Sequence, residues 1–310
     1  MEVSICITTY NHAKYVRQCL ESVLNQDFSE NFEVIICNDN SSDETEKEIL
    51  YVQNNHPKGN CVRYFYHKPN LGYVKNTLFS FEKAKGKYIS VLDGDDYFID
   101  AAKLQKQYDF LEKNKDFSAV GGDSLVIYED TDKKEHHFSG HLGQVLSSKD
   151  LTDPVIFQTS TFFFRKEILK NGFPNDILSA DRCLYLLAGC FGKVKVLPDV
   201  LSTYRQFSAS LSKNVKYETM KKDFKIIPYI QKNSEKYKTA ALKRYFYYTL
   251  MSYSTVLTKH QFYKAALGYS FYNICSKFTL NPLKLYSILK WTKHTVTQKY
   301  SYKKENHNFV

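Results

Sequence analysis

The sequence predicts an α/β fold in which helices flank a mainly parallel sheet, followed by a C-terminal helical extension. Three observations support this prediction. Apolar runs of strand length alternate with segments of helical periodicity over the first 100 residues. Each of these apolar runs ends in polar residues, which is typical of strand ends that bind ligands. Beyond residue 212, lysines are scattered among aromatic and aliphatic side chains in a pattern that indicates helices.

Four apolar runs in this first region have the length and composition of strands. They are Val3–Ile7, Phe32–Cys37, Val62–Tyr66 and Tyr88–Leu92. Between the first two runs, apolar residues recur with the helical period and predict a helix with one buried face. That face consists of Val16, Cys19, Leu20, Val23 and Leu24.

The second and third helices are predicted from local signals. Ser41 and Glu44 have the spacing of a capping box, which would begin the second helix. We expect the third helix to bury Val74, Leu78 and Phe81. Such strand and helix alternation implies parallel pairing, so ligands are expected at the carboxyl ends of the strands.

The alternation weakens after about residue 100, although strand-like and helical patterns continue. The patterns predict a helix around Leu104, Tyr108 and Leu111, strands near 117–128 and 156–164, and a polar surface loop at 129–150. With 310 residues and 43% hydrophobic content, the chain can bury a substantial core.

Charge is distributed unevenly along the chain. Residues 213–310 carry 19 Lys and Arg residues against four Asp and Glu residues, whereas the rest of the chain carries 24 against 29. A basic, Tyr-rich segment behind a mildly acidic body indicates an anionic partner for that segment, either membrane lipid or nucleic acid.

The cysteines and the N-terminal residues bear on location. The seven cysteines are an odd number without a CxxC pair, which favours reduced thiols in a cytosolic protein. The N-terminal residues lack a signal-peptide pattern, and no apolar run reaches the roughly 18 residues of a membrane span. We therefore expect neither secretion nor membrane insertion.

The tetrapeptide Asp-Gly-Asp-Asp at residues 93–96 follows the fourth predicted strand. Three carboxylates placed there are costly unless positive charge compensates them. Carboxylates on a short loop suit a hard cation such as Mn²⁺ or Mg²⁺, which takes its remaining ligands from water and substrate phosphates. The alternative is an ordinary polar turn, since Asp and Gly dominate turns.

Other strand ends carry candidate nucleotide ligands. Asp39 follows the second strand, where acidic residues of nucleotide-binding α/β folds accept hydrogen bonds from base or ribose. Its alternative role is a helix cap or an Asx turn. Thr8, Thr9 and Asn11 follow the first strand, where they can contact the base or cap the next helix.

A third segment has features that favour phosphate binding. Residues Asn70 to Gly72, followed by Lys75, place backbone amides and a cation at a predicted helix start. Both features stabilise a phosphate group.

Two further candidates lie in the second half of the chain. Asp181 precedes the apolar run Leu184–Ala188 at a predicted helix start, where its carboxylate can accept a proton from an attacking hydroxyl or cap the helix. Arg205, with the hydroxyls of Ser208 and Ser210, can bind a diphosphate. The alternative for Arg205 is an ordinary surface side chain.

Six segments in order resemble the large family 2 of bacterial glycosyltransferases, which has the GT-A fold. The segments are ITTYNHAKYVRQCLESVLNQ, EVIICNDNSSDET, NLGYVKN, ISVLDGDDYF, TSTFFFRKEIL, and SADRCLYLL through LPDVLSTYRQFSASLS, covering about residues 3–212. The resemblance implies that residues 1–100 form the nucleotide-sugar-binding half of a GT-A domain. Residues 101–212 would form its acceptor-binding and catalytic half, and residues 213–310 the basic, aromatic-rich helical extension.

The resemblance also implies roles for individual residues. Asp39 would bind a uracil-type base, with Thr8 and Tyr10 lining the same site. Asp95 would be the direct metal ligand, and Asp93 would share the metal site and face the ribose or the donor sugar. Asp181 would be the general base of an inverting transfer. The nucleotide-sugar site would further include Asn11, Asn70, Lys75 and Arg205.

The implied partners are a nucleotide-sugar donor, with a UDP-sugar favoured, and a glycan or undecaprenyl-diphosphate-linked acceptor. The basic extension has the composition of interfacial helices and predicts peripheral attachment to the inner face of the cytoplasmic membrane. A solvated helical extension is the alternative. Nucleic acid is not expected as a partner, because the sequence contains no known nucleic-acid motif.

Two other functions remain open at this point. A nucleotidyltransferase would share the metal and the nucleotide, although no glycine-rich phosphate loop follows the first strand. A homologue that binds nucleotide without turnover is the second. Ala180, which stands where the family usually carries Glu beside the base, keeps it open.

Overall fold

The computed structural model describes residues 1–130, 135–138, 140–153, 157–174, 176–207, 215–277 and 279–305. The chain divides into two compact units. The sheet unit comprises residues 1–147, 155–173 and 180–207, and the helical unit comprises residues 148–154, 174–179 and 208–310. The predicted α/β sheet and C-terminal helical region are confirmed. The functional division of the sheet region at residue 100 stays a prediction.

The sheet unit is built on one mixed sheet, whose described strands number nine. They are β1 Val3–Thr9, β2 Phe32–Asn38, β3 Val62–Tyr66, β4 Tyr88–Asp93, β5 Phe117–Tyr128, β6 His136–His137, β7 Val145–Leu146, β8 Phe163–Arg165 and β9 Lys193–Gln206. Their order is β3-β2-β1-β4-β8-β5-β9-β7, with β6 paired to β5. Strands β1 to β4 pair in parallel, as do β5 and β9, whereas β8 is antiparallel to both β4 and β5. The carboxyl ends of β1, β2 and β4 therefore meet at one edge.

Five α-helices in the described part of the sheet unit accompany these strands. They are α1 Val16–Leu24, α2 Thr45–Asn55, α3 Tyr73–Lys83, α4 Lys103–Lys113 and α5 Ala180–Phe191. Helix α1 buries the five predicted residues, and they pack with the apolar side chains of β1, β2 and β4 in one core. The 3.6-residue period therefore predicted the buried face of this helix correctly.

The predicted capping box of α2 is wrong. The helix begins at Thr45, and the Asp43 carboxylate accepts the Thr45 N–H at 3.1 Å. The Ser41 hydroxyl instead accepts the Asn11 N–H at 2.9 Å. A contact between two loops therefore replaces the local cap.

The predicted buried face of α3 is also largely wrong. The buried residues of this helix are Asn76, Thr77, Ser80 and Phe81. The Asn76 amide donates to the Cys37 carbonyl at 3.0 Å. A polar side chain is thus buried because it satisfies a backbone group near the end of β2.

The region between residues 129 and 164 differs from its prediction. The predicted loop at 129–150 contains the short strands β6 and β7. The predicted strand at 156–164 is a 3₁₀ turn at Thr159–Thr161 followed by β8, with residue 156 outside the described part. The Thr161 hydroxyl donates to the Gln158 carbonyl at 2.7 Å and accepts the Gly122 N–H at 3.2 Å. Such side-chain bonds compete with strand pairing.

The helical unit packs around its own core. Its helices are α6 Tyr217–Met220, α7 Ile226–Asn233, α8 Thr239–Tyr253, α9 Lys259–Lys277 and α10 Pro282–Glu305. The core includes Met251, Phe262 and Ala265. Across the described residues, we find no helix whose length and apolar content would let it cross a bilayer.

Candidate active site

The turn at residues 93–96 is fixed to the end of β1. Thr8 and Asp93 are neighbours in the parallel register, and the Thr8 hydroxyl donates to Asp93 Oδ1 at 2.9 Å. The Gly94 N–H donates to the Thr8 carbonyl at 2.8 Å, and the Asp96 N–H donates to the Asp93 carbonyl at 3.0 Å. A Cβ atom at Gly94 would lie 2.7 Å from Thr9 Cβ. Glycine is therefore needed for this close approach of the two strand ends.

Arg205, on β9, supports the same turn and is 8% exposed. Its N–H donates to Asp96 Oδ1, its Nη1 donates to the Asp95 carbonyl and its Nε donates to Glu129 Oε1, each at 2.7 Å. The side chain is thus committed to protein partners and is not the surface arginine of the alternative. Direct diphosphate binding by Arg205 stays a prediction, and Ser208 and Ser210 lie outside the described part of the chain.

The carboxylates of the turn concentrate negative charge. Burial and the charge of Asp95 raise the pKa of Asp93 to about 6, and burial raises the pKa of Asp95 to about 6. Burial and the same two neighbours raise the pKa of Asp96 well above its usual range. The Asp181 charge also raises the pKa of Asp93, so the structure brings Asp181 within electrostatic reach of the turn. A cation at this position would relieve the repulsion.

The residues present fit a divalent cation whose coordination is completed by substrate. Among the described residues, no three His, Cys, Asp or Glu side chains form a complete metal-binding group. Mn²⁺ and Mg²⁺ commonly take one or two carboxylates and complete their coordination with water and substrate phosphate. Asp93 and Asp95 supply two such carboxylates with unfavourable mutual charge. Their roles as metal ligands remain predictions.

His12 is a neighbour of this turn that the sequence did not single out. Its Nε2 lies 3.8 Å from Asp95 Oδ2, and burial lowers the pKa of the imidazole. A neutral ring cannot balance the carboxylates at neutral pH. The sequence feature that could have identified His12 is its position in the Thr-Thr-Tyr-Asn-His loop after β1.

The loop after β1 joins this edge of the sheet. Asn11 has a φ of 56°, and its side-chain oxygen accepts the Ser42 N–H at 2.8 Å. Tyr10 is 48% exposed at the same edge. Helix α1 begins only at Val16 and has no side-chain cap, so the capping alternative for Thr8, Thr9 and Asn11 is wrong. Contacts of these residues with a nucleotide stay predictions.

Asp39 organises the loop that precedes α3. Its two carboxylate oxygens accept the N–H groups of Leu71 at 2.7 Å and Gly72 at 2.9 Å. The Asn70 amide donates to the Asp39 carbonyl at 2.6 Å, and Gly72 has a φ of 84°. The helix-cap alternative for Asp39 is therefore wrong, because its carboxylate holds a distant loop. Base recognition by Asp39 stays a prediction.

The remaining candidates lie at two helix starts. Lys75 is exposed in the first turn of α3 and forms no ion pair with any described residue, so its ammonium is available to a phosphate. Asp181 lies in the first turn of α5, which begins at Ala180. Its half-buried carboxylate has no hydrogen-bond partner in the described part of the chain. Such a carboxylate is available as a proton acceptor.

Sequence comparisons connect this geometry to known proteins. Residues 4–173 match the family model described as glycosyl transferase family 2. An uncharacterised protein of Mycobacterium tuberculosis is 27% identical over 204 residues, which cover 66% of this chain and 58% of the relative. The chondroitin synthase of Pasteurella multocida is 41% identical over 103 residues, which cover 33% of this chain and 10% of the synthase. The matched region of the chain thus spans little more than half the length of the mycobacterial relative.

Solved structures share the fold. Residues 1–349 of TarS from S. aureus, in complex with UDP-GlcNAc, align with a TM-score of 0.67 and 19% identity over 98% of this chain and 92% of that one. The mannosyltransferase PcManGT from Pyrobaculum calidifontis, in complex with GDP-Man and Mn²⁺, aligns with a TM-score of 0.60 and 14% identity over 97% and 86%. These likenesses confirm the predicted GT-A fold. The family model covers more than half of the residues of this chain, so the chain belongs to glycosyl transferase family 2.

Proposed function

We propose that this protein is a metal-assisted, inverting glycosyltransferase that moves a sugar from a UDP-sugar to a hydroxyl of a glycan or lipid-linked glycan in bacterial surface polysaccharide synthesis. One observation carries the proposal. Asp93 and Asp95 have raised pKa values at the carboxyl edge of the sheet, with Asp181 in electrostatic reach. Family membership and a fold shared with a UDP-GlcNAc complex support it.

The donor would lie across the ends of β1, β2 and β4. Thr8, Tyr10 and Asn11 would line the base, and the Asp39 carboxylate would accept a hydrogen bond from it. Asn70 shapes the loop before α3, and Lys75 would place its ammonium near the diphosphate. The amino end of α3 adds a favourable dipole for that anion.

The chain's own residues would drive a single displacement. Asp181 would accept the proton of the acceptor hydroxyl as its oxygen bonds to the anomeric carbon and the bond to the diphosphate breaks. Attack from the opposite face inverts the anomeric configuration. A bound Mn²⁺ or Mg²⁺ would supply positive charge to the departing diphosphate. Asp93 and Asp95 would hold that cation in place.

A donor screen with three variants tests this proposal. We expect wild-type protein with Mn²⁺ to release nucleotide from one UDP-sugar, in a panel of UDP- and GDP-sugars with glycan acceptors. Asp95→Asn should lose the rise in melting temperature produced by UDP with Mn²⁺. Asp181→Asn should keep that rise but lose about 10²–10⁴-fold in transfer. Asp27→Asn, at an exposed site on the same unit, should match the wild type.

Each arm has a distinct contrary outcome. An equal melting shift in the wild type and Asp95→Asn would contradict the metal assignment. Retained transfer in Asp181→Asn would contradict its role as base. UDP binding without turnover of any donor in the panel would favour the non-catalytic homologue.

Membrane attachment through the helical unit is the second part of this proposal. Helix α9 exposes Tyr263, Leu267 and Phe271, four residues apart, by 51%, 73% and 60%. Helix α10 exposes Leu283 by 81% and Trp291 by 65%. These side chains are therefore large, apolar and exposed. Lysines interleave with them, and aromatic, aliphatic and basic side chains together favour an anionic bilayer surface.

Vesicle sedimentation tests this attachment. We expect the full chain to bind vesicles that contain anionic phosphatidylglycerol more strongly than neutral phosphatidylcholine vesicles. Leu267→Asp/Phe271→Asp should reduce binding by roughly tenfold, because two apolar side chains leave the interface. The control, Asn54→Asp/Asn60→Asp, adds the same charge at exposed positions of the sheet unit. Equal binding by both double variants would favour the solvated extension.

A further inference from the structure

A cavity of the sheet unit lies at the end of β4 opposite the candidate active site. Its volume is about 870 Å³, within the range of small-ligand sites. The lining comes from Met1, from α3, from residues 85–87 before β4, from Arg165 at the end of β8 and from residues 166–173 after it. Strand β4 has six residues, so the cavity and Asp93 are separated by roughly 17 Å at the usual rise per residue.

The floor of this cavity is apolar. It is formed by Leu78, Phe81, Leu169 and Phe173. Phe81 is 5% exposed and packs edge-on against Phe164, with ring centroids 6.0 Å apart. An aromatic and aliphatic floor of this kind favours an alkyl chain over a hydrated ion.

Two cations are fixed in the wall. The Arg165 guanidinium donates to the carbonyls of Leu111 at 2.6 Å and Phe117 at 2.8 Å. Lys166 Nζ donates to the Ala84 carbonyl. Neither side chain forms an ion pair with a described carboxylate, so both charges are held in place without being neutralised.

Two more cations stand at the exposed rim. Lys85 and Lys170 line the cavity and form no ion pair with any described residue. The lining residues Lys87 and Glu82 are paired outside it, with Glu112 and Lys83. Among the lining carboxylates, Glu167 alone forms no ion pair with a described residue. Four uncompensated cations against one carboxylate leave the cavity strongly positive.

We propose that this cavity binds a single-chain amphiphile with an anionic head group. The alkyl chain would cover Phe81 and the other floor residues, while the head would accept hydrogen bonds from Lys85, Lys170 and Lys166. The apolar floor disfavours a free phosphate, because a free phosphate has no alkyl chain. The cationic rim disfavours a neutral amphiphile, because its head group has no charge. The site is separate from the carboxylates proposed for sugar transfer, so amphiphile binding can be tested independently of that proposal.

Calorimetric titration of the full chain with decyl phosphate, kept below its micellar concentration, tests this site. We expect saturable binding with one site, and binding at least roughly tenfold weaker for inorganic phosphate, decyl maltoside and decyltrimethylammonium. Lys85→Glu/Lys170→Glu should weaken the binding of decyl phosphate by roughly tenfold or more. Lys113→Glu/Lys238→Glu, which reverses two exposed lysines elsewhere, should bind like the wild type.

A second variant examines the floor. Leu78→Gln changes a half-buried floor residue and should weaken the binding of decyl phosphate. The rise in melting temperature that UDP with Mn²⁺ produces should be the same as in the wild type. Equal affinity of the cationic or neutral amphiphile would overturn the charge assignment. Equal affinity of inorganic phosphate would overturn the apolar one. Unchanged binding in Lys85→Glu/Lys170→Glu, or no saturable binding by the wild type, would overturn the site itself.

Discussion

The two ends of β4 hold charge of opposite sign, and they hold it in different ways. At the carboxyl end, Asp93, Asp95 and Asp96 crowd one turn, and each has a raised pKa. At the amino end, Arg165 and Lys166 are hydrogen-bonded to backbone carbonyls. Like charges that repel one another cost stability, whereas cations that meet carbonyl oxygens are satisfied locally.

The acidic turn is therefore under electrostatic strain, whereas the fixed cations of the basic cavity have hydrogen-bond partners. The acidic turn needs compensation from outside the protein, and we propose a cation and a diphosphate for that role. In the basic cavity, Arg165 and Lys166 already have carbonyl partners, and we propose that an anion adds favourable charge interactions there. Functional groups often reduce stability where substrates bind, so the acidic turn is the end at which substitutions should separate stability from activity.

The largest expected effect comes from removing the arginine behind the acidic turn. Arg205→Met leaves the Glu129 carboxylate and the Asp95 carbonyl without their buried donor, and we expect a loss of about 3–5 kcal/mol in the free energy of unfolding. Arg165→Met removes hydrogen bonds to neutral acceptors and should cost about 1–3 kcal/mol. Urea unfolding measures both.

The order of these two losses is the informative result. If Arg165→Met were as destabilising as Arg205→Met, the two ends of β4 would not differ in the way their charge is held. Arg17→Met provides the matched control, because Arg17 forms a partly exposed ion pair with Glu48. We expect that change to cost about 1 kcal/mol or less.

The next effect concerns the position of the turn. Gly94→Ala places a Cβ atom 2.7 Å from Thr9 Cβ, so the turn must move away from β1. We expect transfer to fall by about 10²-fold, because displacement of reacting groups by about 1 Å has that consequence. Gly140→Ala is the control, since no atom of the described residues lies within 4 Å of its added Cβ. Rates of nucleotide release check both, and an unchanged rate in Gly94→Ala would show that the turn tolerates displacement.

The sequence predicted those parts of the site that depend on local pattern. Alternating apolar runs identified β1 to β4, and their parallel pairing predicted polar residues at the carboxyl ends of the strands. The period of apolar residues identified the buried face of α1. In each case the relevant residues are close in sequence or follow from the regular geometry of adjacent strands.

Contacts between distant segments were not predictable in this way. Arg205 reaches the turn from a strand more than 100 residues away, and Asp39 holds the N–H groups of Leu71 and Gly72 through its carboxylate. The polar face of α3 is buried because Asn76 finds the Cys37 carbonyl. Hydrophobic periodicity carries no information about such polar partners, since each depends on how loops approach one another.

The smallest expected effect tests whether the acidic turn is strained without a cation. The pKa of Asp95 is about 6 in the folded protein and 3.8 ordinarily, so its ionisation destabilises the fold as the pH rises from about 4 to 6. In EDTA, Asp95→Asn should therefore raise the free energy of unfolding by about 1–2 kcal/mol at pH 7.5 and by almost nothing at pH 3.5. Urea unfolding at both pH values measures this. A loss of stability at pH 7.5 would mean that the carboxylate is already compensated within the protein, and the contrast between the two ends of β4 would disappear.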